Sequence, residues 1–412
     1  MDGGSIVVGI YIGFSKINIS FLQGKIIANE KSILGENSYP IIHSKRQLYG
    51  QGAMDVLFTE PNYLASNLLY LLSLKDCSNN NINTAYYVTP SSLQSTEDGI
   101  FVTGNRKSVE DMLQILFSHM KNIIDSNLRP KYIGIALPFD IKGTPTWNSL
   151  CDILDKVFKK EYEVKDSITS FMLCQNVSQF KSGDSYSSVL VIDEHHTYCT
   201  KVHVYNPKES IGDSNMSSIN ETNINSISDP QFIEKKIETL ISLIRNKLIE
   251  TELRGILHKE GIAISRDNQD YLLFAKQLYT YISYNLFSWR TSHDYGDFSF
   301  TLHGHDYTVR AERMKDACED WIQTFVNSVI KHLVMDCTKN YSPDNSLYIT
   351  GDYGCLFSEQ RLGSFKKQYE SKGVGLYLVK KDDSSFSTGA IRFSNRFPYD
   401  PHTSSVMLSM TS

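Results

Sequence analysis

The chain has 412 residues, 41% apolar, 21% charged and 11% aromatic, which excludes disorder throughout and leaves length for two or more packed cores. Its 41 basic residues are scattered among 46 acidic ones for a net charge of -5, so broad electrostatic capture of nucleic acid and direct, specific DNA binding are not expected. The seven cysteines are an odd number without a C-x-x-C pair, which argues against a disulfide framework or a zinc module. No apolar run approaches the ~20 residues of a bilayer span and no basic segment leads into an apolar one at the N-terminus, so the expectation is a cytoplasmic protein with no membrane partner.

In chain order, residues 6–12 are β-rich, Gly13 permits a turn, and Ile17 to Leu22 is a second run followed by Gln23-Gly24-Lys25, the pattern of a β-meander. Leu64, Leu68, Leu69, Leu71 and Leu72 behind Pro61 predict a helix over 62–74, with a polar loop over 76–83. Ser108 with Asp111 resembles a capping box ahead of the apolar face Met112, Leu113, Leu116, Phe117, Met120 and Ile124. Residues 132–138 read as a buried strand, 147–158 as a helix and 188–205 as a strand pair. The Ser- and Asn-rich stretch 206–229 reads as a loop or insertion. Helices are then predicted over 233–249, 272–289 and 309–333, strands over 298–302, 346–351 and 375–379, a helix start near Ser387, and a tail over 396–412. Alternating strands and helices give an α/β class.

Several short motifs occur in a familiar order: Val8-Gly9-Ile10-Tyr11-Ile12-Gly13, Tyr49-Gly50-Gln51-Gly52-Ala53, Ile135-Ala136-Leu137-Pro138, Val191-Ile192-Asp193, Ile349-Thr350-Gly351 and Thr388-Gly389-Ala390. Over roughly residues 5–395 this order resembles the nucleotide-binding domain of DnaK-type heat-shock chaperones, within the actin-like ATPase superfamily. The resemblance implies a two-lobed, duplicated ribonuclease H-like fold, with a first lobe over 1–170 and a second over 171–395. It also implies a nucleotide cleft whose remnants would be Gly13, Ser15, Asp166, Asp193, Thr197 and Gly351.

The chemistry of such a cleft needs glycines that let backbone N–H groups reach phosphate, a carboxylate for hydrated Mg²⁺, and a lysine near the γ-phosphate. Where the family has Asp-Leu-Gly-Thr-Thr this chain has Tyr11-Ile12-Gly13-Phe14-Ser15, and where it has Asp-Leu-Gly-Gly-Gly-Thr this chain has Asp193-Glu194-His195-His196-Thr197-Tyr198. The family's lysine falls near Leu69, and its adenosine clamp near Thr280, Ser283 and Tyr284. No catalytic residue is assigned, no cofactor is expected, and ATP with Mg²⁺ remains only the alternative. Asp166 and Asp193 would be a residual carboxylate pair or plain structural carboxylates; Tyr11 and Phe14 would fill the abandoned cleft or reflect neutral drift.

In character the chain is similar to the atypical Ssz-type chaperones of the ribosome-associated complex. The resemblance implies a non-catalytic structural or regulatory co-chaperone subunit whose partner is a J-domain protein or a catalytic DnaK-type chaperone, with the ribosome as the site of work. Two alternatives stay open: an active ATPase with a non-standard site, and a nucleotide-exchange factor. His195, His196 and Cys199, and separately His303 and His305, are metal-ligand types, but neighbours on a strand point to opposite faces, so no metal is expected. The aromatic set Tyr279, Tyr281, Tyr284, Phe287 and Trp289 reads as helix core before it reads as a partner surface.

Overall fold

The segment Val7–Ile12 carries no charge and is buried at every position, as a strand covered on both faces should be. It is the central strand, β1, of the first of two large sheets. The computed structural model describes residues 6–23, 26–29, 39–74, 93–96, 99–102, 107–159, 161–175, 183–206, 223–226, 231–234, 236–286, 296–337, 346–371, 375–378 and 385–393.

From β1 the chain turns into β2 (Ile17–Gln23) and β3 (Ile26–Asn29), each antiparallel to its predecessor. A small sheet follows, β4 (Ile42–His43), β5 (Leu48–Tyr49) and β6 (Leu64–Ala65), with α1 (Gln51–Met54) inside it. Next come α2 (Leu68–Ser73) and a second small sheet, β7 (Leu93–Thr96), β8 (Gly99–Val102) and β9 (Lys107–Ser108). Helix α3 (Val109–Asn127) opens on a true capping box, with Ser108 Oγ accepting the Asp111 N–H and Asp111 accepting the Ser108 N–H. Strand β10 (Tyr132–Leu137) returns parallel to β1, α4 (Pro145–Phe158) crosses over, β11 (Glu163–Asp166) adds parallel to β10, and α5 (Ser167–Cys174) leaves. The sheet order is β11-β10-β1-β2-β3.

The second sheet repeats this plan. Strands β12 (Gly183–Ile192), β13 (Thr197–Asn206) and β14 (Asn223–Ser226) run antiparallel in turn, with β15 (Gln231–Ile233) also on β13. After α6 (Ile237–Leu248), a π turn at Ile249–Leu253, α7 (Arg254–Lys259), α8 (Gln269–Asn285), the hairpin β16 (Phe298–Leu302) and β17 (His305–Val309), and α9 (Ala311–Cys337), the chain returns as β18 (Ser346–Thr350), parallel to β12. Helices α10 (Glu359–Leu362) and α11 (Ser364–Glu370) lead to β19 (Gly375–Leu378), parallel to β18, and then α12 (Ser385–Phe393). The order β19-β18-β12-β13-β14 is that of the first sheet, strand for strand. The hairpin turns match as well: Gly13 N–H donates to Lys16 O and Asp193 N–H to His196 O, both at 2.9 Å.

Some predicted elements shift. The helix expected over 62–74 is only Leu68–Ser73, because Pro61–Tyr63 forms a short 3-10 turn, β6 follows, and Asn67 enters the helix at φ 55. Ile233 and Val309 end strands instead of starting helices. Asn223–Ser226, placed in the loop or insertion, is a strand that extends the second sheet. The rest of that stretch from 207, the 76–83 loop, Phe287, Trp289 and the 396–412 tail lie outside the described residues.

Each sheet carries its own outer core. Helices α3 and α4 cover the first sheet through Met112, Leu116, Phe117, Leu150 and Phe158, and α6 and α9 cover the second through Ile237, Ile241, Ile244, Ile322 and Val326. Between the sheets lies a third cluster in which α5 supplies Ile168, Phe171 and Met172 against Val189, Val191, Tyr198, Val202 and Tyr348 of the second sheet. In the same cluster α12 sets Phe386 and Ala390 against Tyr11 and Ala136 of the first. Thus each half sends its last helix toward the other. The exchange needs bare backbone at two points: a Cβ on Gly9 would stand 1.9 Å from Ser387 O, and one on Gly389 would stand 1.7 Å from Ser170 O. Both obstacles are main-chain atoms, so neither can swing away. Gly389→Ala is therefore expected to destabilise the chain by about 3 kcal/mol or more, read as a lower midpoint in urea. A wild-type midpoint would show that α5 and α12 do not cross this closely.

Candidate functional site

The two matching hairpin turns face each other where the sheets meet. The β1–β2 turn presents Phe14 and Ser15; the β12–β13 turn presents Asp193, Glu194, His195 and His196. The turn after β18 adds Gly351, Asp352 and Tyr353, and α8 adds Tyr279 and Ser283.

Glu194 lies at the centre and is fully buried. Its Oε2 accepts from Ser15 Oγ at 3.0 Å and Ser283 Oγ at 2.8 Å, and its Oε1 accepts from Tyr279 OH at 3.0 Å. Tyr353 OH stands 3.3 Å from Oε2, 3.2 Å from Ser283 O and 3.1 Å from Ser283 Oγ. One carboxylate thus ties the first hairpin to α8 and to the turn after β18. A second carboxylate reinforces the tie: Ser15 N–H donates to Asp352 Oδ2 at 3.0 Å, and Asp352 N–H donates to Asp193 Oδ1 at 2.9 Å. Gly351 makes this turn possible, with φ at 98 and a would-be Cβ only 2.5 Å from Ile192 N.

Rings close the remaining space. His195 stacks on Tyr70 of α2 at 3.8 Å and 10°, and its Nδ1 lies 3.3 Å from Glu238 Oε2. Phe14 sets its ring edgewise to His195 at 6.0 Å and to His196 at 5.8 Å. His196 Nδ1 pairs with Asp140, which follows β10. Farther along, Tyr284 meets Tyr39 at 5.1 Å, Phe58 packs on Phe274, Phe298 and Phe300, and Gln277 Nε2 donates to Leu57 O at 3.0 Å. Segment 39–65 and the α8/β16–β17 unit are therefore in direct side-chain contact.

The expected remnants divide. Gly13 and Ser15 sit in the first turn and Asp193 in the second, joined through Asp352. Thr197 is buried beside them, its Oγ1 without a hydrogen-bond partner among the described residues. Asp166 does not pair with Asp193. It is the N-cap of α5, accepting from Thr169 N–H at 2.8 Å and Thr169 Oγ1 at 3.0 Å, with Lys142 Nζ at 2.6 Å. Leu69 is packed in the first outer core. Of the adenosine-clamp positions, Ser283 reaches Glu194, while Thr280 and Tyr284 are buried with hydroxyls that lack a partner among the described residues. Cys199 is buried, His303 pairs with Glu260 at 3.4 Å, and no group of three His, Cys, Asp or Glu able to hold a metal occurs among the described residues. Glu194 and Asp352 had escaped assignment. Both lie next to positions that were singled out, Asp193 and Gly351, but sequence does not say which donors face them.

Desolvation, followed by the charges of Asp352 and Asp140, pushes the Asp193 carboxyl well above its usual range. Desolvation also raises Asp352, against the lowering effect of Lys16 and the Ser15 N–H. Both folded pKa values lie above the ~3.9 of an unfolded Asp. The stability these groups contribute is then fully present below that value and is lost as pH rises through the raised values. Asp352→Asn is expected to flatten the fall in melting temperature with rising pH, measured from pH 4 to 9. An unchanged slope would show that the pair is ionised at no cost to the fold.

No protein-family model matches the chain, and no curated protein is significantly similar to it. Among the described residues, no helix is long and apolar enough to cross a membrane.

Proposed function

We propose that the chain is a two-lobed, actin-like protein related to the DnaK-type nucleotide-binding domain, held closed by its own side chains and serving as a non-catalytic structural or regulatory co-chaperone subunit. Its partner in this reading is a J-domain protein or a catalytic DnaK-type chaperone, in nascent-chain folding at the ribosome. Two sheets of identical strand order that exchange helices support the fold assignment. One observation carries the functional reading. The Ser15 N–H, which would face a phosphate in a working first loop, is engaged by Asp352, while Ser15 Oγ is engaged by Glu194.

The residues at the cleft do not suit Mg²⁺ and a triphosphate. A buried Tyr11 stands where a metal-organising carboxylate would be needed, with its phenol pushed well above the ordinary range by desolvation and then by Asp352 and Asp193. Glu194 and Asp352 put carboxyl groups where an anion would enter, and Phe14 and His195 fill the turns. Removing the nucleotide from such a fold leaves lobe closure to protein contacts, and a rigid shape is what a scaffold offers a partner. The full chain titrated with MgATP or MgADP in a calorimeter is expected to give no saturable heat below about 1 mM. Micromolar affinity with turnover would overturn the reading.

A further inference from the structure

Ser15 Oγ, Tyr279 OH and Ser283 Oγ donate to Glu194, Tyr353 OH lies within reach of the same carboxylate, and the site is closed to solvent. These groups come from the β1–β2 turn, α8 and the turn after β18. His195 Nε2 stands 4.0 Å from Oε1, beyond hydrogen-bond reach, so the donors that touch the carboxylate are neutral hydroxyls. Hydroxyls of this kind suit an acceptor-only group, because an ionised carboxylate presents lone pairs and no proton. The two phenols remain donors: burial, then the Glu194 charge, pushes both Tyr279 and Tyr353 well above the ordinary phenol range.

We propose that these hydroxyls form a carboxylate-binding site that the chain fills with Glu194 as an internal ligand, and that the site accepts a small free carboxylate such as formate or acetate when that side chain is removed. The donor set argues against phosphate. Neutral hydroxyls bring hydrogen bonds but no positive charge, and a phosphate would bring more negative charge than a carboxylate into a space that already faces Asp352. This goes beyond the functional reading above, since it concerns what fills the centre of the molecule whichever partner the protein serves. Binding of MgATP to the wild type would overturn that reading without touching this one.

The test uses the full chain carrying Glu194→Ala. Its melting temperature is expected to fall by ~10 °C, because several buried hydroxyls lose their acceptor. Sodium acetate or formate should recover a saturable part of that loss, while sodium chloride at equal ionic strength should not, and neither carboxylate should raise the wild-type midpoint beyond chloride. Adding Ser283→Ala to the variant should abolish the recovery. Should Glu194→Ala not fold, the readout becomes its soluble yield on refolding with formate against chloride. A folded variant with no carboxylate-specific recovery, a refolding yield equal in formate and chloride, recovery by inorganic phosphate as strong as by acetate, or a variant as stable as the wild type would each overturn the proposal.

Discussion

The arrangement of this molecule depends on how one buried carboxylate is satisfied. An isolated carboxylate taken out of water costs several kcal/mol, and it is tolerated only where donors replace the water it lost. Glu194 finds those donors in Ser15, Tyr279 and Ser283, which belong to different parts of the chain. Satisfying it therefore fixes the first hairpin against α8 and the turn after β18. Asp352 repeats the logic one step away by taking the Ser15 N–H and offering its own N–H to Asp193. A side chain in a turn thus joins elements of both halves.

That carboxylate sits in a frame built twice. Both halves set a hairpin beside a parallel pair, and both send a terminal helix toward the other half, where Phe171 and Phe386 meet at 5.8 Å. The swap makes the contact between the halves part of the core. Aromatic packing, from Tyr39 on Tyr284 to Phe58 on Phe298, adds a second set of contacts. Two anchors of different chemistry, one polar and one apolar, hold the same pair of units.

The parts legible in the sequence were those with a strong local pattern. The strand at 132–138 and the helix behind Ser108 follow from continuous apolar runs or a capped 3.6-residue period, and both formed as expected. Elements set by long-range pairing were not legible: β11 reads Glu-Val-Lys-Asp and is a strand because β10 offers an edge, and β14 likewise depends on β13. Asp166 shows the same limit at the site, since the sequence left it a residual carboxylate pair with Asp193 or a structural carboxylate, and its bonds as the α5 cap come only from the structure. The glycine losses at 195, 196 and 197 signalled that side chains enter the second turn. Which hydroxyls meet them depends on α8, about 85 residues away in the chain, and no local pattern reports that distance.

Amide hydrogen exchange at Ser15 and Asp352 tests the account most directly, because those two N–H groups carry the bonds between the turns. Slow exchange at both, equal with and without MgATP, is the result that the self-filled centre predicts. Rapid exchange at either amide, or protection that arises only when MgATP is added, would contradict it.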